Sequence, residues 1–246
     1  MNPLLYKIKT SIFSGETHTI LFLGDSTTST EWVFPSWRSI FEYVLKLHLE
    51  DSKAGWNLSW WNLKFINSSL DGSTTKDILG RIDSDILKYE PNLFVGLFGD
   101  NDIDKFSEVE HGENTRNIIR KLSANIDDVI YSPGITTANE YHNGRYKDYI
   151  AEEKVDSIKL PNIHSLNMFE KYKSFDHKKF YTNLLPQHEK FLNDGKGGNF
   201  DAFHPNPLGN AYMAKILLEE IFDISFDPEK FMEGVRDDTV KYPQWQ

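Results

Sequence analysis

Apolar residues fall along this chain in two periods. Residues 19–23 (TILFL), 63–66 (LKFI) and 93–98 (LFVGLF) are strand-length runs, nearly continuous rather than alternating, and each ends in small or polar residues. Such runs fit strands covered on both faces, as in a parallel sheet. Residues 128–131 (DVIY), closed by Ser132, Pro133 and Gly134, form a fourth, and a fifth is expected within residues 158–166 despite Pro161. Between them lie helix-period segments at residues 37–49, 76–89 and 114–126, the first with apolar residues at Ile40, Phe41, Val44, Leu45 and Leu47. A last helix opens at Asn206, a good N-cap, and Pro207, suited to the first helical position, with Leu208, Tyr212, Met213, Ile216, Leu217 and Ile221 on one side. Strand and helix alternate, which predicts α/β architecture: a doubly wound parallel sheet of about five strands with helices on both faces. Ligands of such folds bind beyond the carboxyl ends of the strands.

Residues 139–199 mix aromatic, charged and amide residues without a clear period. One domain spanning residues 1–246 is expected, with its core at about residues 19–221 and residues 223–246 laid on the surface as a tail.

Composition narrows the function. The formal net charge of −10 gives no electrostatic reason to bind nucleic acid or an anionic membrane surface. The absence of cysteine excludes disulfides, thiolate metal sites and cysteine nucleophiles. The opening residues, MNPLLYKIKTSIFSGETHT, lack an apolar leader with a small-residue cleavage site. No stretch reaches the ~18 apolar residues of a membrane span, so a soluble, cytoplasmic protein without integral membrane association is expected.

Four polar blocks follow the apolar runs. The first run ends in Gly24, Asp25 and Ser26, which places a hydroxyl at the carboxyl end of a buried strand. Such a serine is either a turn former or a nucleophile, and as a nucleophile it needs a base, a group to orient that base, and donors for an oxyanion. His204 in DAFHPNPLG, three residues after Asp201, is the candidate base: the carboxylate would hold the tautomer that leaves the other ring nitrogen free. Pro205 biases His204 toward extended backbone, hence toward a loop before the helix. The third run ends in Gly99, Asp100, Asn101 and Asp102, where Asn101 either donates to a developing oxyanion or closes an Asx turn. Gly72, after the second strand, lies in a polar turn before a helix capped by Ser73 or Thr74, and its N–H could stay open to a ligand.

In this order and context the blocks resemble those of the SGNH hydrolases, a branch of the GDSL esterase/lipase family: GDS around Ser26, the glycine Gly72, G-x-N-D at residues 99–102 and D-x-x-H at residues 201–204. The resemblance implies a three-layer, flavodoxin-like domain that hydrolyses small-molecule acyl esters through a serine acyl-enzyme, with no metal and no cofactor. It implies Ser26 as nucleophile, His204 as general base and then acid, and Asp201 as the orienting carboxylate. The oxyanion hole would comprise the Ser26 and Gly72 backbone N–H groups and the Asn101 side-chain amide. Two departures stand out. The first block continues as GDSTTSTEW, without the later glycine common in the family, and the variable position of G-x-N-D is Asp100, whose carboxyl is expected to point away from the oxyanion.

Other uses of these residues are less complete. A metal site drawn from Asp100, Asp102, Asp201 and His204 would leave Ser26 and Gly72 without a part to play. A nucleotide site lacks both G-x-G-x-x-G and G-K-[ST]. A long-chain acyl hydrolase of the lysophospholipase or thioesterase kind, and a non-catalytic carbohydrate-binding module on the same fold, remain as alternatives. Trp32 and Trp37, close after Ser26, either line a substrate pocket or pack the core. The lack of a long lipophilic lid stretch favours a short acyl group such as acetyl, and an O-acetylated carbohydrate is one such substrate.

Overall fold

A computed structural model describes residues 2–49, 59–103, 105–135, 140–175, 177–181 and 203–236. Five strands, β1 (His18–Gly24), β2 (Leu63–Asn67), β3 (Leu93–Phe98), β4 (Asp128–Pro133) and β5 (Ile163–Ser165), form one sheet in the order β2-β1-β3-β4-β5. Every pairing is parallel. This is the doubly wound layout expected from the alternation, and the order of strands reverses at β1 and β3, whose carboxyl ends lie side by side.

The three central strands are buried along their whole length, which is why their sequences read as unbroken apolar runs. Side chains still alternate between two cores. Ile20, Phe22, Val95 and Ile130 face helices α1 (Pro3–Phe13), α2 (Trp37–Leu49) and, later in the chain, α7 (Pro207–Phe222). Leu21, Leu23, Phe94 and Val129 face α3 (Thr75–Asp85) and α4 (Glu108–Ser123) through Ile78, Ile82, Ile118 and Leu122. The edge strand β2 is covered less completely, with Lys64 exposed.

Helix ends follow the local chemistry. Asn206 caps α7 by accepting from the Gly209 N–H at 2.9 Å, with Pro207 in the first turn. Of the two candidate caps before α3, Thr74 is the one used, in a reciprocal capping box with Asp77. Helix α4 starts six residues before the expected 114, capped by Ser107, because its first turn is charged and carries no apolar period.

Four helices were not anticipated. Helix α1 is capped by Asn2 and buries Leu4, Leu5, Ile8 and Ile12. Two helices, α5 (Glu140–Glu153) and α6 (Met168–Lys173), occupy part of the stretch without clear period. Residues 224–236 are not simply a surface tail: α8 (Pro228–Arg236) packs Phe231 edge-on against Tyr43 of α2, at 5.9 Å between ring centroids.

Trp37 belongs to this core and not to a substrate pocket. It is 1% exposed and meets Phe22 edge-on at 5.6 Å, because it opens the apolar face of α2 that falls on β1. Its backbone N–H, one of the orphan donors of a helix start, is satisfied by the buried Asn210 side chain of α7 at 2.8 Å. The same side chain donates to the Pro205 carbonyl at 2.7 Å and to the Asn206 carbonyl at 3.1 Å. One amide thus ties the start of α2 to the loop carrying His204. Replacing it by Asn210→Ala leaves a buried donor and acceptor unpaired and should cost about 2–3 kcal/mol in urea unfolding; a loss under about 0.5 kcal/mol would contradict this account.

Candidate active site

The turns that leave β1 and β3 crowd together. A Cβ on Gly24 would lie 2.4 Å from the Leu97 carbonyl oxygen and 2.3 Å from Thr28 Oγ1, so only glycine fits there. Beyond it the Asp25 carbonyl accepts from the N–H groups of Thr28 and Ser29 at 3.1 and 2.9 Å, and this tight turn presents Ser26 at the strand's end. His204, 178 positions later, reaches the same place: its Nε2 is 2.9 Å from Ser26 Oγ. The structure thus brings these two sequence-predicted residues within hydrogen-bond distance. Asp201, the predicted orienting carboxylate, lies outside the described residues.

Asn101 stands at the end of β3, where Gly99 takes a φ of +118° and turns the chain out of the sheet. Its Nδ2 donates to Asp25 Oδ2 at 3.1 Å and to the Ser73 carbonyl at 3.3 Å, which engages both amide hydrogens. Asn101 thus joins the residue before Ser26 to the residue after Gly72, and links the three turns that carry the predicted oxyanion donors. Gly72 sits at a φ of +69°, and its N–H and that of Ser26 have no hydrogen-bond partner among the described residues.

Asp25 is 2% exposed and fixed by the Thr27 N–H and hydroxyl, each 3.0 Å from Oδ1. Burial raises its pKa above the usual aspartate range, against the Thr27 bonds and the facing His204, which pull it down. The Asp100 carboxyl turns toward the end of β4, where Oδ2 accepts from the Ile135 N–H at 3.1 Å. Oδ1 packs so closely on Gly134 that a Cβ there would be 1.8 Å away. Burial and the neighbouring Asp25 push the Asp100 carboxyl well above its ordinary value, which favours the neutral form beside a site where negative charge is to develop.

Asp102, the last residue of the motif, is fully buried and accepts from the Thr75 N–H at 2.9 Å and from the Thr75 hydroxyl. Its other partner is His111 Nδ1 at 2.8 Å, while His111 Nε2 meets Glu153 at 2.9 Å. Asp100, Asp102 and His204 are each turned to a different partner, and among the described residues no group of three or more His, Asp or Glu side chains is placed to hold a metal ion.

Together Asp25, Ser26, Thr27, Asp100, Asn101, Ile103, Lys105, Phe203 and His204 line a cleft of about 350 Å³. Ile103 and Phe203 supply its apolar walls and were not foreseen, although each directly adjoins a motif residue. Trp32 does reach the site, stacked on the His204 ring at 4.3 Å between centroids and 3° between planes.

A parallel 2-1-3-4-5 sheet with a serine and a histidine hydrogen-bonded at its switch point is the layout of an α/β serine hydrolase. The chain belongs to the GDSL-like lipase/acylhydrolase family, whose model matches residues 20–217, and it is accordingly a carboxylic ester hydrolase. Solved structures share the fold. A lipase/acylhydrolase from Enterococcus faecalis is 18% identical, with a TM-score of 0.61 over 83% of this chain and 95% of its own. An acetylxylan esterase from Geobacillus stearothermophilus is 14% identical, with a TM-score of 0.60 over 87% and 96%. An alpha/beta hydrolase from the metagenome of Lake Arreo, Spain, is also 14% identical, with a TM-score of 0.61 over 82% and 94%. No curated protein matches the chain by sequence.

The buried carboxylates around His111 set a pH dependence of stability. Burial opposes a charge on its ring, but the hydrogen bonds to Asp102 and Glu153 outweigh this and raise its pKa to about 9. A histidine held above its unfolded value of ~6.5 stabilises the fold fully below that pH and loses the contribution as pH climbs through the folded value, here up to about 3 kcal/mol. The raised carboxyls of Asp25, Asp100 and Glu153 act in the same direction, since each keeps its proton longer in the folded chain. Melting temperature should therefore fall as pH is raised from about 6.5 through the folded pKa of about 9. The His111→Gln variant should start lower and fall less steeply; parallel curves for the two proteins would refute the assignment.

Proposed function

We propose that this hydrolase is a serine esterase for small, short-chain carboxylic esters of the acetyl type, acting through a covalent acyl-enzyme. The observation that carries the reading is the 2.9 Å hydrogen bond between His204 Nε2 and Ser26 Oγ in an open cleft. Ser26 Oγ attacks the ester carbonyl while His204 takes its proton, and the carbonyl electron pair moves onto oxygen. Collapse of the tetrahedral intermediate expels the alcohol, which leaves with the proton from His204; water then repeats the sequence and releases the acid. Asp201 is assigned to orient His204. The oxyanion is assigned to the N–H groups of Ser26 and Gly72 and to Asn101 Nδ2, whose longer contact, to the Ser73 carbonyl, is the one an oxyanion would displace.

Two features support a short acyl group. The cleft lies at the small end of ligand pockets, and among the described residues its apolar walls are Ile103 and Phe203. One of the fold neighbours is an acetylxylan esterase, which makes acetyl esters of carbohydrates the first substrates to try. A cytoplasmic location is part of the same proposal; among the described residues no helix is long and apolar enough to cross a membrane.

The test is hydrolysis of p-nitrophenyl esters from acetate to octanoate, with acetylated sugars in parallel. Wild type should favour acetate over octanoate by at least ~tenfold in kcat/KM, and Ser26→Ala should lose more than ~1,000-fold. Equal rates from Ser26→Ala would remove the nucleophile, and a preference for octanoate would favour a long-chain acyl hydrolase instead.

A further inference from the structure

Trp32 occupies a position that the esterase mechanism above does not use. Its indole lies flat on His204, 4.3 Å between centroids with only 3° between the planes. The indole is itself tethered, since Nε1 donates to Asp71 Oδ2 at 2.6 Å. Asp71 belongs to the turn after β2, which is fastened to the sheet by the Leu70 N–H on the Gly24 carbonyl and closed by the Ser73 N–H on the Leu70 carbonyl, each 3.2 Å. A continuous line of contacts therefore runs from the end of β1, through the turn bearing Gly72, to the face of the imidazole.

The direction of this contact matters. The lone pair with which a histidine accepts a proton lies in the ring plane, so a partner on the face blocks rotation about Cβ–Cγ without covering the reactive edge. On its C-terminal side the loop bearing His204 is anchored by Asn210 on the Pro205 carbonyl and by the Asn206 N–H on the Phe180 carbonyl. When the imidazole takes the serine proton it becomes a cation, and the negative face of an indole attracts a cation. The Asp71 carboxylate on the indole N–H adds electron density from the far edge. Among the described residues, Asp25, Asp100 and Lys105 are the other charged or titratable side chains lining the cleft around His204.

We propose that Trp32 is a positioning residue for His204, holding the imidazole edge toward Ser26 and offering its π face to the positive charge formed during proton transfer. The proposal rests on the esterase reading for its consequence in turnover, but the stack itself is open to a test that needs no activity. Trp32→Leu, Trp32→Phe and Asp71→Ala are compared with wild type by three readouts, with thermal melting as the control for folding. The first is p-nitrophenyl acetate hydrolysis. The second is the rate at which a fluorophosphonate labels Ser26, a step in which the Oγ–P bond forms, fluoride leaves and the proton passes to His204. The third is the NMR shift of the His204 Hε1 proton, assigned with His204→Asn, which the indole ring current moves upfield in wild type.

Trp32→Leu should lower kcat and the labelling rate roughly tenfold with little change in KM. Trp32→Phe, which keeps an aromatic face, should recover most of that loss, and Asp71→Ala should fall between. The Hε1 signal should move downfield in Trp32→Leu. Wild-type rates in Trp32→Leu, equal losses in Trp32→Leu and Trp32→Phe, or an unmoved Hε1 signal would each overturn the proposal. If wild type itself neither turned over the ester nor reacted with the fluorophosphonate, the esterase reading would fail, and the Hε1 comparison would still decide whether Trp32 holds the ring. Should Trp32→Leu not fold, Trp32→Phe and Asp71→Ala carry the same comparison.

Discussion

The carboxylate of Asp102 has no access to water, and everything at the carboxyl edge of the sheet is built around keeping it paired. It takes both donors of Thr75 at the start of α3 and a ring nitrogen of His111 on α4, and His111 passes the connection to Glu153 at the end of α5. Three helices are thereby registered against the end of β3. Asn101 is the neighbour of Asp102 in sequence and inherits that fixed frame, as does the turn bearing Gly72, which leads directly into Thr75. Buried ion pairs often contribute little net stability, because desolvation offsets attraction, yet removing one partner is costly. The value of this one lies in geometry: it sets the distance between the turn bearing Asn101 and the turn bearing Gly72.

The sheet edge and the helix layers then divide the labour. The β1, β2 and β3 turns form a rigid half of the site, joined by the Asn101 amide and by the close approach of Gly24 to Leu97. The other half is a loop delivered by α7, and it is held in place by the Asn210 side chain, which belongs to the helix packing rather than to the chemistry. Trp32 and Asp71 bridge the halves.

Much of this was legible in the sequence. Strands β1, β3 and β4 announced themselves because full burial leaves no polar alternation, and α2 was readable to its limits because one face is apolar and the other charged. Edge strand β5 was only located within a window, since at Ile163–Ser165 it is three residues long and half covered. Helix α4 was read too short, because its first turn is specified by capping and charge rather than by apolar period. The meeting of Ser26 and His204 could be anticipated only through the motif blocks, as no local pattern spans 178 positions. Partnerships such as Trp32 with His204 or Asp25 with Asn101 left no trace in the order of residues, because each depends on which turns the sheet brings together. The same holds for Trp37: its place at the head of an amphipathic face pointed to the core as much as its nearness to Ser26 pointed to a pocket.

The anchoring of the histidine loop on the last long helix has a further consequence. Native proteins open in parts, and a helix packed on the outside of a sheet can detach before the central strands do. Were α7 to lift away, the parallel strands and the turn bearing Ser26 would persist while His204 departed with the helix. Such a molecule would retain most of its circular dichroism and be chemically silent, so turnover reports on attachment of the C-terminal third more stringently than any bulk measure of foldedness.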